Sequence, residues 1–95
     1  MPKPPVIRES KLEADIWEYA EATGWWAAKF TSPGKRAVPD RLFIRKGVHL
    51  FGEIKRPGEL PTPQQLLRHK EMRAHGAIVR VWDNFNDAKS DLDFF

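Results

Sequence analysis

The chain has 95 residues, which is enough for one domain with a single small hydrophobic core. It has no cysteine, which excludes a disulfide framework and a thiolate metal site, and no apolar segment approaches the ~20 residues of a membrane span. We therefore expect a soluble, cytoplasmic protein. Four Trp, six Phe and one Tyr are many aromatic residues for so small a core, so we expect some of them at a surface that binds a partner.

The net charge of +3 is unevenly distributed along the chain. Residues 29–80 contain twelve Lys or Arg and four Asp or Glu, a balance of +8, which leaves −5 for the two ends. A basic middle segment favours a polyanionic partner such as nucleic acid. The alternative is a solvated surface that is simply rich in Lys and Arg.

The first half of the chain predicts one helix followed by three strands. Residues 1–8 are predicted to form an irregular arm, and apolar residues at helical spacing predict a helix over residues 10–23 that ends at a glycine. Strands are predicted at residues 25–31, 41–45 and 48–55, and the last two are joined by a two-residue Lys-Gly turn.

The second half predicts a helix and a last strand. A Thr-Pro pair opens the helix over residues 62–74, and residues 77–82 form the strand. The tail over residues 83–95 is either helical or loose. The order α-β-β-β-α-β predicts an α/β fold, a single domain over residues 1–95 with a mixed sheet and helices against it.

The segment "GEIKRPG" places an acid and a base two residues apart at the end of a predicted strand. Residues two apart on a strand point to the same face, so Glu53 and Lys55 stand side by side. A salt bridge at a strand end would explain this pair alone.

A second carboxylate, that of Asp40, allows a catalytic interpretation of this pair. If Lys46 and Gly47 form a tight turn, paired residue numbers sum to 93, and Asp40 then lies opposite Glu53 with the carboxylates about 5 Å apart. Like charges in this position destabilise a sheet, whereas a divalent cation between them removes the penalty. Mg²⁺ requires few protein ligands, so Asp40, Glu53 and the carbonyl of Ile54 would suffice. Lys55 would then face the attacking water or the phosphate.

The strings "PDRLFI", "FGEIKRPG" and "TPQQ", in this order, resemble the VRR-NUC branch of the PD-(D/E)xK nuclease superfamily over residues 9–82. The resemblance implies a restriction-endonuclease-like fold. It also implies that Asp40 and Glu53 bind the metal, that Lys55 is the catalytic lysine, that Gln65 supports the site from the second helix, and that Glu13 reaches in from the first.

The resemblance implies an endonuclease that cuts DNA with Mg²⁺ or Mn²⁺. A homodimer would suit a branched substrate with its own two-fold symmetry, such as a four-way junction. The resemblance to small members of the family also implies a viral or mobile-element origin. The protein would then act in a bacterial or virus-infected host cell. A non-catalytic DNA-binding protein with the same fold and an RNA-processing nuclease are the alternatives.

Two of these residues also fit a purely structural role. Residues 10–13 and 62–65 both have the form of a helix capping box, in which Glu13 or Gln65 would satisfy a backbone amide. Glu9 competes with Glu13 for the place in the site. Capping and site roles do not exclude each other.

One position departs from the family pattern. Relatives of this kind usually carry Gly in the loop before the Pro-Asp pair, where this chain has Ala37. If the loop requires a positive φ at this position, Ala is strained by about 1 kcal/mol or more.

The remaining charged residues are divided between phosphate contacts and ordinary surface. The candidates for phosphate contacts are the cations that flank the inferred site: Lys29, Lys35, Arg36, Arg41 and Arg56. The cations of the second helix, Arg68, Lys70 and Arg73, are interpreted as its solvated side. A packing or surface role is expected for His49, and solvent exposure for His69 and His75.

The terminal "SDLDFF" alternates acidic and apolar residues, as an extended segment would. It partly resembles short motifs that dock on a sliding clamp, although Asp91 stands where those motifs favour Gln. The alternative is that Leu92, Phe94 and Phe95 fold back to cover the sheet or a dimer interface.

Overall fold

A computed structural model describes residues 8–95, with side chains from Lys11 onward. Its elements are α1 (Arg8–Ala22), β1 (Trp26–Lys29), β2 (Arg41–Arg45), β3 (Val48–Ile54), α2 (Pro63–Ala74), β4 (Ile78–Trp82) and α3 (Phe85–Phe94). This order confirms the predicted α-β-β-β-α-β core and resolves the tail as a third helix. Of the predicted irregular arm, residues 1–7 lie outside the described residues, and residue 8 already belongs to α1.

The four strands form one mixed sheet in the order β1-β2-β3-β4. The first three strands are antiparallel, and β4 runs parallel to β3 after a crossover through α2. The β2–β3 turn has positive φ at Lys46 (48°) and Gly47 (81°), as a tight hairpin turn of this length requires. Pairing of Arg41 with Gly52 and of Arg45 with Val48 confirms the predicted register.

The core lies between one face of the sheet and the helices α1 and α3. Its largest members are Trp82, Phe43, Ile16, Leu50, Ile54 and Leu92. Gly52 shares this face, and a Cβ atom there would lie 2.5 Å from a ring carbon of Trp82. Because successive strand residues alternate, Glu53 and Lys55 point to the opposite face, on which α2 packs.

The two predicted capping boxes have different outcomes. At α2 the box is present: Gln65 N donates to Thr62 Oγ1 at 3.1 Å, and Thr62 N donates to Gln65 Oε1 at 2.9 Å. The N-cap predicted at Ser10 is wrong, because α1 begins at Arg8 and Ser10 lies inside its first turn.

The tail is helical, which is one of the two conformations that the sequence predicts, rather than extended. Asn84 caps α3 by accepting a hydrogen bond from Asp87 N at 2.8 Å. Leu92 is buried in the core and Phe95 packs against that core, whereas Phe94 remains 80% exposed. Leu92 and Phe95 therefore cover the core, as the packing alternative predicts.

The aromatic residues are divided between the core and the surface, as the sequence predicts for some of them. Trp25 is only 3% exposed and belongs to the core. Phe85 is half-buried against the same core, whereas Trp26 is 59% exposed.

Within residues 8–95, no helix is both long and apolar enough to cross a membrane.

Candidate functional site

The site begins where the β2–β3 hairpin brings Asp40 beside the end of β3. Asp40 Oδ2 accepts a hydrogen bond from Ile54 N at 3.1 Å, and the Asp40 carbonyl accepts one from Phe30 N at 2.8 Å. Backbone amides from β3 and from the residue after β1 thus hold Asp40 at its side chain and its carbonyl. Arg41 pairs with Gly52, so continuing this register by one residue puts Asp40 opposite Glu53, on the same face of the sheet.

Glu53 is a buried carboxylate, 2% exposed, surrounded by three polar side chains. Its Oε2 lies 4.0 Å from Lys55 Nζ and 3.5 Å from Gln65 Nε2, and its Oε1 lies 3.4 Å from His69 Nε2. Burial of a charge is tolerated where polar groups compensate it. Each of these contacts is longer than the roughly 2.7–2.9 Å of a strong charge-assisted hydrogen bond.

His69 is a site residue that the sequence interpretation missed. It is fully buried, so the predicted solvent exposure is wrong. Burial lowers the pKa of His69, and the nearby charges of Arg73 and Lys55 lower it further, so the ring is neutral at pH 7. The contact with Glu53 is therefore a hydrogen bond rather than an ion pair. The buried Nδ1 has no hydrogen-bond partner among the described residues.

Gln65 completes the capping box and also contacts Glu53. Its Oε1 accepts from Thr62 N in the capping box while its Nε2 faces Glu53. Gln65 and His69 are four residues apart on α2, which places them on one helix face. That spacing is the sequence signal that could have identified His69.

Glu13 lies with Arg41 rather than with the other carboxylates. Glu13 Oε2 accepts from Arg41 Nη2 at 2.5 Å, and Arg41 Nη1 donates to the Asp40 carbonyl at 3.3 Å. The guanidinium also stands 5.5 Å from the centre of the Trp17 ring. Among the residues that the structure describes, no three His, Asp or Glu side chains form a metal-binding group.

The predicted phosphate-binding cations differ in exposure. Lys29, Lys35, Arg36 and Arg56 are exposed, whereas the Arg41 side chain is only 11% exposed and paired with Glu13. His49 and His75 are exposed, as predicted.

Two cations of α2 do more than the solvated surface role predicted for them. Arg68 Nε donates to the Arg36 carbonyl at 2.8 Å. This bond connects α2 to the loop over residues 32–39, which is called the basic loop below. Arg73 Nη2 donates to the Val79 carbonyl at 2.7 Å and ties the end of the helix to β4. In the same basic loop Ala37 has φ +62°, the left-handed conformation that favours Gly.

The donor set fits a hard divalent cation. Asp40 and Glu53 offer oxygen ligands at the end of one hairpin, and Mg²⁺ binds through one or two carboxylates with water and phosphate oxygens as its remaining ligands. Mn²⁺ accepts the same oxygen donors. A structural Zn²⁺ site would need about four side-chain ligands, which this part of the chain does not bring together.

No protein-family model matches the chain. A protein of Acyrthosiphon pisum secondary endosymbiont phage 1, named "Putative nuclease p44", is 44% identical over 80 residues, which cover 83% of this chain and 86% of the phage protein. A solved structure described as "VRR_NUC domain" has a TM-score of 0.86 and 28% identity, with 95% of this chain and 99% of that chain covered.

A second solved structure, "VRR_NUC domain protein", has a TM-score of 0.78 over 97% of this chain and 90% of that chain. At 16% identity it shows a shared fold alone. The phage relative and the first structure extend the likeness to sequence. The chain belongs to the VRR-NUC family of the PD-(D/E)xK nuclease superfamily.

Proposed function

We propose that this VRR-NUC nuclease is a metal-dependent endonuclease that hydrolyses phosphodiester bonds in DNA. The observation that carries the proposal is the pair Asp40 and Glu53 on one hairpin, with Lys55 beside Glu53 on the same face. A buried Lys–Glu pair is weak evidence for stability, because desolvation of both charges offsets their attraction. A catalytic role explains why this chain keeps them.

Asp40 and Glu53, with the carbonyl of Ile54, would hold Mg²⁺ or Mn²⁺, which when bound supplies positive charge to the phosphate and lowers the pKa of water. Lys55 adds a second positive charge, which stabilises the phosphate as negative charge develops during attack. Gln65 and His69 hold the Glu53 carboxylate in place. None of these contacts reads a base, so the cleavage reaction itself is independent of sequence.

Substrate choice rests on charge and symmetry. The exposed cations Lys29, Lys35, Arg36 and Arg56 supply contacts to phosphate, which position a nucleic acid without reading its sequence.

We propose selectivity for branched DNA such as four-way junctions, bound by a homodimer. Exposed apolar side chains support a subunit interface, and they are Trp26, Leu60, Leu66, Leu67 and Phe94. Sliding-clamp docking through the tail has little support, because Leu92 is buried.

The test is cleavage of linear, flap and four-way DNA, with matched RNA strands, by the purified chain in Mg²⁺ or Mn²⁺. Asp40→Asn keeps an acceptor for Ile54 N, and Lys55→Met keeps the length of the side chain, so both variants should bind DNA but lose cleavage. Glu18→Gln, on the exposed side of α1, is the control that should cut normally.

Chelation should abolish cutting, and Ca²⁺ should support binding without efficient cutting because its coordination is looser. Cleavage by Asp40→Asn at the parent rate would overturn the site, and full activity in chelator would overturn the metal mechanism. Preference for RNA would favour the RNA-processing alternative. DNA binding without cutting in any metal would favour the non-catalytic alternative.

Light scattering at tens of micromolar protein tests the homodimer, and the mass of a single chain would contradict it.

A further inference from the structure

A cleft of about 440 Å³ lies between α2 and the basic loop. The residues that supply its polar lining are Lys35, Arg36, Gln64, Arg68 and Glu71. Neither Asp40 nor Glu53 contributes to its lining. The cleft is therefore separate from the proposed catalytic pair, although its loop wall leads directly to Asp40.

Two cations from different elements meet at one carboxylate oxygen in this cleft. Glu71 Oε1 lies 2.6 Å from Arg68 Nη1 and 3.8 Å from Lys35 Nζ. The orientation of Arg68 is fixed by a second hydrogen bond, from its Nε to the Arg36 carbonyl at 2.8 Å. A fixed guanidinium and a lysine thus define a position for an anionic oxygen, which Glu71 occupies.

Glu71 is exposed to solvent in this position. The hydrogen bond from Arg68 lowers the pKa of Glu71 and the charge of Lys35 lowers it further, so the surroundings favour a negative oxygen. The side chains of Lys35 and Glu71 are 63% and 47% exposed, and ion pairs this exposed are readily exchanged for other partners.

We propose that the cleft is a phosphate subsite for the nucleic-acid backbone, and that a phosphate replaces the Glu71 carboxylate between Lys35 and Arg68. The inference rests on the proposed function, since it adds a contact for the same substrate. Arg binds phosphate through the same forked geometry that it uses for carboxylate, so the exchange preserves the Arg68 contact.

The chain limits how far this subsite lies from the cleavage site. Arg36 precedes Asp40 by four residues, which span at most about 14 Å when fully extended. Phosphates on one strand of a duplex rise by about 3.4 Å each. The subsite is therefore placed to bind a phosphate a few nucleotides from the scissile bond. Glu71 competes with that phosphate, so it weakens binding to nucleic acid in general.

The test is the affinity of Glu71→Gln for fluorescein-labelled DNA, measured by anisotropy in chelator so that no cutting occurs. Gln removes the charge but keeps an acceptor for Arg68. We expect Glu71→Gln to bind about 3- to 10-fold more tightly than the parent, because no ion pair has to be broken. Glu18→Gln removes the same charge from α1, on the other side of the sheet, and should change affinity by less than about 2-fold.

A double-variant comparison tests the position directly. In a Lys35→Gln background, the gain from Glu71→Gln should largely disappear, because one of the two cations that the phosphate needs is gone. Equal gains for Glu71→Gln and Glu18→Gln, or a gain that persists without Lys35, would overturn the subsite and leave the proposed function standing. A parent chain that binds no nucleic acid either in chelator or with Ca²⁺ would overturn both.

Discussion

The left-handed backbone at Ala37 gives a prediction that links local strain to the position of Asp40. With φ at +62°, Ala37 carries a strain of about 1 kcal/mol that Gly would not. Gly also makes the unfolded chain more flexible, which removes about 0.4–1 kcal/mol of stability. The two terms nearly cancel, so Ala37→Gly should change the free energy of unfolding by less than about 1 kcal/mol, in the stabilising direction. Ala37→Val, which is β-branched, should destabilise by about 1–2 kcal/mol.

Urea and thermal unfolding would measure both variants, since 1 kcal/mol shifts the melting temperature by about 4–8 °C in a domain of this size. Lys46, with φ +48° in the β2–β3 turn, offers a matched control. Lys46→Gly relieves the same kind of strain on a turn away from the basic loop, so it should leave cleavage unchanged, whereas Ala37→Val should also slow cleavage. The reasoning fails if Ala37→Gly is clearly destabilising or if Ala37→Val is as stable as the parent.

Three further predictions follow from single contacts. His69→Leu fills the same space with an apolar side chain but removes the contact with Glu53. Cleavage should then require a higher Mg²⁺ concentration while DNA affinity stays unchanged. An unchanged Mg²⁺ titration would contradict the role of His69 in positioning Glu53. Gly52→Ala should destabilise by roughly 1–3 kcal/mol in urea unfolding, because its Cβ meets the Trp82 ring at 2.5 Å, and parent-like stability would refute the close packing. The Tyr19 hydroxyl lowers the pKa of Asp93, so this pair stabilises the fold above about pH 4 and stops doing so as pH falls through the folded-state pKa. Melting of Asp93→Asn should accordingly depend less on pH below 4 than melting of the parent.

The sheet was predictable because its determinants are short-range. Strand β2 has the predicted bounds, and the Lys46-Gly47 turn set the register that places Asp40 beside Glu53. The sequence left the tail as either helical or loose, since its acidic and apolar residues alternate as in a strand. A better signal was present in Ala88 and Leu92, which are four residues apart and are both buried on one face of α3.

Strand pairing predicts the site only where it depends on the hairpin, whereas Gln65 on α2 was predicted from the family resemblance. Asp40 and Glu53 are joined by one turn, so strand pairing alone fixes their relative position. Glu13 and Arg41 are 28 residues apart, and their ion pair depends on how α1 is rotated against the sheet. His69 depends in the same way on the rotation of α2, because a helix presents different residues to the sheet as it turns about its axis.

The β2–β3 hairpin and α2 contribute different parts of the candidate site. The hairpin fixes where the two carboxylates lie, but Gln65 and His69, which contact Glu53, come from α2. The same helix carries Arg68 and Glu71 on the side that contacts the basic loop. One helix therefore contacts both the carboxylate that would bind metal and the loop that would bind phosphate. A shift of α2 would move both together, so changes in how this helix packs should alter metal requirement and nucleic-acid affinity jointly, whereas changes confined to the β2–β3 turn should not.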